Sequence, residues 1–244
     1  MSRLPLSQRH LEIDLLRTIA LVLMIVYHTA FDLAFFYQFP LDPQAGNWLL
    51  LQRVTANLFL VTVGVSFAIS YSRMSVHGAR FRTMLAKYVR RAIGLLACGM
   101  LISAVTALFL GATWVRFGIL HLIGMAILLL PFLMPLREGN ALLALAILFG
   151  SRMLKTLTVE TSLLLPLGLA PASFASVDYF PVFPWLAPVL LGAAAGNLLY
   201  NRNLLRFHLP STKAAHLLTA PGRFSLRIYL IQQPVLLAGL WLIL

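Results

Sequence analysis

Charged side chains are scarce along the whole of this 244-residue chain. They make up 11% of the residues, whereas hydrophobic residues make up 60%, and the mean hydropathy is +0.88. Because soluble domains carry about 25% charged residues, this deficit excludes an ordinary soluble fold and predicts an all-α, polytopic membrane helix bundle. The length is too short for two ordinary domains, so we expect one transmembrane domain over residues 1–244.

Cysteine is almost absent. Cys98 is the single example and lies in an apolar run, which excludes an intrachain disulfide and a cysteine metal site. No two histidines have the spacing of metal ligands, so no metal is expected. The first apolar run is too long for a cleavable signal peptide and lacks a small-residue cleavage site, so we expect it to remain as a membrane span.

Acidic residues are the rarer charged class, with 7 Asp and Glu against 19 Lys and Arg and a net charge of +12. No nucleic-acid-binding motif accompanies this charge, so nucleic acid is not expected as a partner. Lys and Arg accumulate on the cytoplasmic side of membrane proteins, and their placement here predicts a cytoplasmic N-terminus. The predicted inner segments are 1–12, 73–88, 136–139 and 201–223. Seven runs have the length and apolarity of membrane spans: 13–36, 51–72, 89–110, 117–135, 140–157, 181–200 and 224–244.

A basic segment, residues 74–91, leads into the third predicted span. Its charges suit an anchor on anionic membrane lipid. They also suit an electrostatic binding site for a phosphorylated donor from the cytosol. Both interpretations stay open from the sequence.

The first predicted span carries four ionisable residues on one face. At 100° per residue, Asp14, Arg17, His28 and Asp32 fall within an arc of about 60°. Each charge at mid-bilayer costs about 2.5–3.5 kcal/mol, so this face should point to the protein interior or to a water-filled cavity. His28 and Asp32 are an i, i+4 pair, a spacing at which the carboxylate can orient the imidazole. The stripe therefore predicts a functional site.

Further polar residues stand in apolar surroundings. A lone buried histidine is usually structural, a proline-rich helix entry usually shapes the helix start, and glutamines beside Pro234 can satisfy freed backbone groups. Each of these residues also remains a candidate for catalysis or substrate contact. They are Arg53 and Asn57 entering the second span, His121 in the fourth, Asp178 and Trp185 before and within the sixth, and Tyr229, Gln232 and Gln233 in the seventh.

Five segments together resemble a known family: EIDLLRTIALVLMIVYHTAFDL, FLVTVGVSFAISYSR, FGILHLIGMAILL, DYFPVFPWLAPVLLG and SLRIYLIQQP. In this order they resemble bacterial membrane proteins related to the catalytic domain of heparan-α-glucosaminide N-acetyltransferase, from about Glu12 to Pro234. The resemblance implies a transmembrane acyltransferase that takes an acyl group from cytosolic acetyl-CoA or another acyl-CoA. It also implies delivery to a sugar or glycoconjugate across a bacterial cytoplasmic (inner) membrane. The Arg17–His28 spacing resembles the signature of membrane enzymes that O-acetylate envelope polysaccharides.

Two segments depart from the family pattern. The lysosomal enzyme has its catalytic histidine in the luminal loop after the first matching helix, whereas YQFPLDPQAGNW here contains none. His28 is then the nearest candidate for the general base or transient acyl carrier. Many relatives read IHQP in the last helix, where this chain has Gln232, Gln233 and Pro234.

The resemblance and the stripe combine into one hypothesis for the reaction. His28, oriented by Asp32, is the general base or transient acyl carrier, and His121 is a further catalytic candidate. Supporting or substrate contacts are assigned to Asp14, Asn57, Asp178, Trp185, Tyr229 and Gln233. The phosphates of CoA are assigned to Arg17, Arg53, Arg73, Arg90 and Arg91. About 16 Å separates Arg17 from His28 along the helix, a distance suited to the pantetheine arm.

Other interpretations stay open from the sequence alone. The stripe of Asp14, Arg17, His28 and Asp32 is also compatible with a proton-coupled small-molecule transporter. It would equally serve helix packing in a structural subunit. Membrane lipid is an expected partner, and a homo-oligomer is left open.

Overall fold

The regular structure of this chain is helical, as the sequence predicts. A computed structural model describes residues 10–154, 157–202, 204 and 209–244. Helix accounts for 80% of the structure, and the described residues contain no strand, only an isolated bridge between Phe117 and Tyr179. The eight α-helices of the described part are α1 Leu11–Tyr37, α2 Gly46–Val76, α3 Phe81–Phe109, α4 Ile119–Leu133, α5 Asn140–Leu154, α6 Val182–Gly196, α7 Lys213–Arg223 and α8 Ser225–Ile243.

Six helical stretches are long and apolar enough to cross a membrane. They are α1, α2, α3, α8, the combined stretch Ile119–Leu154, and Val182–Asn201, which adds a π-helical turn to α6. This confirms the all-α polytopic class. The number of crossings and the side of the N-terminus stay predictions. The predicted inner segment 1–12 and the end of the fifth predicted span, 140–157, lie partly outside the described residues.

The fourth and fifth predicted spans are separate helices. Between α4 and α5 the chain forms a 3-10 turn, Met134–Gly139, in which Arg137 has a φ of 52°. The Asn140 side chain donates to the backbone carbonyls of Leu133 and Arg137 at 3.1 and 3.0 Å, which fixes the break. Each helix has 15 residues and is about 22 Å long, shorter than a hydrocarbon core of about 30 Å.

The chain divides into two compact units. The terminal unit comprises Met1–Thr62 and Leu205–Leu244, and the middle unit comprises Val63–Leu204. The sequence prediction of a single domain stays a prediction. In the terminal unit, α7 and α8 pack against α1.

Helix α7 differs from the expectation of an inner loop over 201–223. Thr212 caps it by accepting from the backbone N–H of Ala215 at 3.2 Å, and its buried residues are Ala215, Thr219 and Gly222. These recur every three to four residues, so they form one face. Gly222 donates its N–H to Thr18 Oγ1 on α1 at 3.0 Å, and a Cβ there would collide with the Asp14 carbonyl oxygen. This close approach explains why a short basic segment folds as a packed helix.

In the middle unit, α3 packs on α4 and α5 packs on α6. Two glycines allow α2 to approach α6. A Cβ at Gly64 would lie 2.7 Å from the backbone nitrogen of Ala193, and one at Gly196 would lie 2.8 Å from the Cβ of Ala68. The core includes fully buried Leu122 and Leu190. This packing holds the start of α4, where two of the candidate residues lie.

Candidate functional site

The polar face predicted for the first span is buried. Asp14 is 3% exposed and Asp32 is fully buried, and Leu21 and Met24 between them are also buried. His28 is half-buried. Because these residues share one side of α1, the helix presents its polar groups to protein rather than to lipid.

Two glutamines of α8 contact His28 and Asp32, the pair nearer the C-terminus of this face. Gln232 places its amide nitrogen 2.5 Å from His28 Nδ1, and Gln233 donates its side-chain N–H to Asp32 Oδ1 at 2.6 Å. Gln232 also donates to Gln233 Oε1 at 3.3 Å. Four side chains thus form one hydrogen-bonded chain between α1 and α8.

The orientation of His28 by Asp32 stays a prediction, and the hydrogen bonds of the described residues do not join these two side chains directly. Within the described part of the chain, the partner of His28 is Gln232, and Asp32 pairs with Gln233. The His28 and Asp32 side chains both face α8, where each one hydrogen-bonds to a glutamine amide. Asp32 Oδ2 and Gln232 Oε1 are buried without a hydrogen-bond partner among the described residues.

Helix α8 supplies these amides next to a proline. Pro234 has no N–H and interrupts the backbone ladder of the helix. The described bonds of the glutamines run to α1 side chains rather than to the freed backbone groups. Tyr229 is half-buried and lies on the same face, one turn before Gln232 and Gln233. Gln232 contacts His28, which lies 204 residues earlier in the chain. In the sequence, only the glutamine doublet before Pro234 indicated that this position could matter.

The N-terminal end of α1 contains a charge cluster. Asp14 Oδ1 accepts from Arg17 at 3.1 Å, and Asp14 Oδ2 lies 4.0 Å from Arg223 Nε on α7. Arg223 also contacts His216 Nδ1 at 2.8 Å. The sequence predicted Arg17 and Asp14 here but missed Arg223, which it placed in an inner loop.

The other arginines predicted for the phosphates are exposed. Arg73 lies near the end of α2, and Arg90 and Arg91 lie in the first half of α3. Arg53 is exposed on α2, where its backbone carbonyl accepts from Asn57 Nδ2 at 2.7 Å. Asn57 thus bonds to the Arg53 backbone, and the Arg53 guanidinium takes no part in this bond.

The start of α4 brings His121 and Asp178 to neighbouring backbone groups. His121 Nδ1 accepts from the Gly118 N–H at 3.2 Å, and Asp178 Oδ2 accepts from the Ile119 N–H at 3.2 Å. Both therefore cap the helix. Burial raises the pKa of Asp178 to about 6, while the hydrogen bond from Ile119 opposes this shift. His121 Nε2 is buried without a partner among the described residues.

The proline-rich segment before α6 packs by aromatic contacts. Trp185 lies with its ring centroid 4.6 Å from that of Phe180. Tyr179 donates its hydroxyl to the Leu165 carbonyl at 2.8 Å, and burial raises its pKa to about 12. These contacts support a structural role for Trp185, which the sequence had left open.

Carboxylates, histidines and cysteine do not cluster as metal ligands in the described ranges. No group of three or more His, Cys, Asp or Glu side chains there is placed to hold a metal ion. The groups available for chemistry at the polar face are one imidazole, one buried carboxylate and two amides. Such a set is suited to moving a proton.

Comparisons with known proteins give one result. The model of the family described as heparan-alpha-glucosaminide N-acetyltransferase, catalytic, matches residues 9–234. Searches of curated proteins and of solved structures found no match. The family match includes α1 through most of α8 and therefore every candidate residue above. The chain thus belongs to the family of the heparan-α-glucosaminide N-acetyltransferase catalytic domain.

Proposed function

We propose that this membrane acetyltransferase moves an acetyl group from acetyl-CoA to an amine or hydroxyl of a sugar or glycoconjugate, with His28 as the general base. The family is one of acetyltransferases that use acetyl-CoA as donor, and this favours an enzyme over the transporter alternative. The observation that carries the assignment is His28 itself. Its Nδ1 is held by Gln232, and its Nε2 has no bond among the described residues.

The proposed step moves one proton and exchanges one bond. In the tautomer with its proton on Nδ1 and with Nε2 unprotonated, His28 takes the proton of the acceptor amine or hydroxyl as that group attacks the thioester carbonyl. The tetrahedral intermediate collapses, the C–S bond breaks with its electrons on sulfur, and the thiolate takes the proton from Nε2 as CoA thiol. A transient acyl-imidazole is the second route to the same products. Rapid-quench kinetics would distinguish the routes by a burst of CoA.

The donor phosphates are proposed to bind the arginines. Near the N-terminus of α1, the Arg17 and Arg223 guanidinium groups both lie at Asp14, and guanidinium groups bind phosphate through charge-assisted hydrogen bonds. In the middle unit, Arg73, Arg90 and Arg91 are exposed, with Arg73 directly before the segment 74–91 and Arg90 and Arg91 at its end. Each set is testable by itself, and a membrane-lipid role for the second set is a competing outcome.

Supporting roles follow the bonds that each side chain already makes. His121 accepts at Nδ1 from Gly118, so its neutral ring carries a proton on the unpaired Nε2. This N–H is proposed to donate a hydrogen bond to a substrate oxygen. Asn57 uses one amide hydrogen on the Arg53 carbonyl and retains another for substrate. A bacterial inner-membrane location is part of the same proposal.

The decisive experiment replaces His28 with Gln in the full chain, reconstituted in nanodiscs. Radiolabelled acetyl-CoA is supplied with a panel of amino sugars and neutral sugars, and transfer is measured beside CoA binding. Because a general base contributes about 10²–10⁴-fold, turnover should fall at least about 100-fold while CoA binding persists. The matched control is His77→Gln, an exposed histidine. Retained turnover in His28→Gln would remove the base from the proposal.

A further inference from the structure

Four side chains, two near the C-terminal end of α1 and two on α8, form a continuous hydrogen-bonded path. His28 and Asp32 are one turn apart on α1, and Gln232 and Gln233 are adjacent on α8. The path runs from His28 Nδ1 to Gln232, on to Gln233, and ends at Asp32 Oδ1. It is buried at its centre and at one end, since Gln232 is 7% exposed and Asp32 is fully buried.

A side-chain amide has a donor end and an acceptor end, so this path has a direction. In the structure the nitrogen of Gln232 faces His28 Nδ1 and the nitrogen of Gln233 faces Asp32. An amide nitrogen only donates, so Nδ1 accepts and a neutral His28 carries its proton on Nε2. In that tautomer Nε2 cannot take a proton from an acceptor.

Turning both amides over reverses every bond of the path. Gln232 then presents Oε1 to a protonated Nδ1, which leaves Nε2 as the basic nitrogen. Gln233 then presents Oε1 to Asp32 Oδ1, a contact that is favourable only when this carboxyl group holds a proton. Gln232 Oε1, which is buried without a partner in the described part of the chain, would gain two hydrogen bonds by the change. The two amides thereby link the position of the proton on His28 to the protonation of Asp32.

We propose that Gln232 and Gln233 are positioning residues that select the ring nitrogen of His28 available as a base, and that they link this selection to a proton on Asp32. The inference rests on the proposed role of His28 in acyl transfer. It assigns a task to the position at which this chain carries a glutamine doublet before Pro234. The amides themselves take no part in bond making or breaking.

Two isosteric variants with the same added charge test the inference. In Gln232→Glu the carboxylate only accepts, so it requires a proton on Nδ1 and leaves Nε2 basic. In Gln233→Glu the carboxylate accepts from Gln232, whose nitrogen then stays on Nδ1 and leaves the proton on Nε2. The two variants should therefore stabilise opposite tautomers. A merely structural role predicts the same tautomer in both.

The tautomer is measured by ¹⁵N NMR on full-length protein with labelled histidine in nanodiscs, with the His28 signals assigned from their loss in His28→Gln. We expect a pyridine-type Nε2 in Gln232→Glu and a pyridine-type Nδ1 in Gln233→Glu. For Gln233→Glu, kcat should also fall at least about tenfold with the KM for acetyl-CoA little changed. Gln44→Glu, an exposed glutamine, is the control for added charge. Equal tautomers in the two variants would overturn the inference.

If either glutamate variant fails to fold, the neutral variants Gln232→Met and Gln233→Met replace the pair. Removal of either amide interrupts the path, so each should give a mixture of both His28 tautomers where the wild type gives one. An unmixed, wild-type tautomer in both variants would also overturn the inference. Failure of the proposed function is a separate result. It would appear as retained turnover in His28→Gln, and it does not depend on which His28 tautomer the glutamine variants show.

Discussion

Gln232 on α8 lies with its amide nitrogen against Nδ1 of His28 on α1, although 204 positions separate the two residues. The contact joins the first and last helices of the terminal unit at the residue proposed as general base. It leaves Asp32 one amide further away, paired with Gln233. The imidazole is therefore oriented by a neutral group, which provides a donor or an acceptor according to which end it presents.

Arg17 is expected to act on donor binding more than on the chemical step. Its guanidinium pairs with Asp14 at 3.1 Å, three turns from His28 along α1. A charge-assisted hydrogen bond to phosphate contributes about 1.5–3 kcal/mol, so Arg17→Gln should raise the KM for acetyl-CoA about tenfold and change kcat little. Steady-state kinetics measure both parameters. A drop confined to kcat would contradict a phosphate-binding role, and Arg227→Gln on exposed α8 surface is the matched control.

Gly222 is expected to be intolerant of any side chain. Its backbone lies so close to α1 that a Cβ would meet the Asp14 carbonyl oxygen and lie 3.0 Å from Thr18 Oγ1. Overpacking of this kind costs about 1–3 kcal/mol, so Gly222→Ala should lower the unfolding midpoint of the protein in detergent. Gly94→Ala is the control, because that helical glycine has open space around its Cβ position and alanine favours helix by up to about 1 kcal/mol. Equal midpoints for the two variants would count against the α1–α7 packing.

The sequence predicted those parts of the molecule that depend on local pattern. Hydropathy and length predicted the helices, and the 100° periodicity of α1 predicted a buried polar face with Asp14 and Asp32 on it. The i, i+4 spacing also predicted that Asp32 orients His28, but it did not predict that the hydrogen-bond partners of both side chains come from α8. Spacing within one helix carries no information on what packs against it.

The missed features depend on tertiary contacts in the same way. Helix α7 has only 11 residues and contains Pro221 followed by Gly222, so its sequence indicates a loop until Thr219 and Gly222 are seen buried, with Gly222 bonded to α1. Arg223 reaches Asp14 only because of that packing. The capping role of Asp178 at α4 likewise requires a segment 59 residues beyond Ile119 to return to it, whereas His121 caps the same helix through a local bond from Gly118.

Arg90 and Arg91 are expected to separate the two interpretations of the basic segment. Both are exposed at the start of α3, where a phosphate or an anionic lipid would be screened by salt. If they hold the donor, the double variant Arg90→Gln, Arg91→Gln should weaken acetyl-CoA binding in neutral-lipid nanodiscs, and most strongly at low salt. Isothermal titration measures the affinity. Unchanged affinity there, with reduced association to anionic vesicles, would assign these arginines to lipid instead.

Asp178 is expected to make stability depend on pH. Burial raises its pKa in the folded protein from 3.8 to about 6, so the carboxyl group loses its proton less readily in the folded than in the unfolded chain. Stability is therefore greatest below pH 4 with respect to this group and falls as pH rises to about 6, by about 1–3 kcal/mol in total. Asp178→Asn keeps an acceptor for the Ile119 N–H and has no charge to bury. Its advantage over the wild type should grow from near zero at pH 4 to that full amount at pH 7.

Thermal unfolding of the wild type and Asp178→Asn in detergent across this range measures the difference. Asp178→Ala is the matched variant, because it removes both the charge and the acceptor for the Ile119 N–H. It should be less stable than Asp178→Asn by about 1 kcal/mol at every pH. Parallel pH profiles for the wild type and Asp178→Asn would show that this carboxyl group ionises normally, and would leave the cap at α4 without an electrostatic cost.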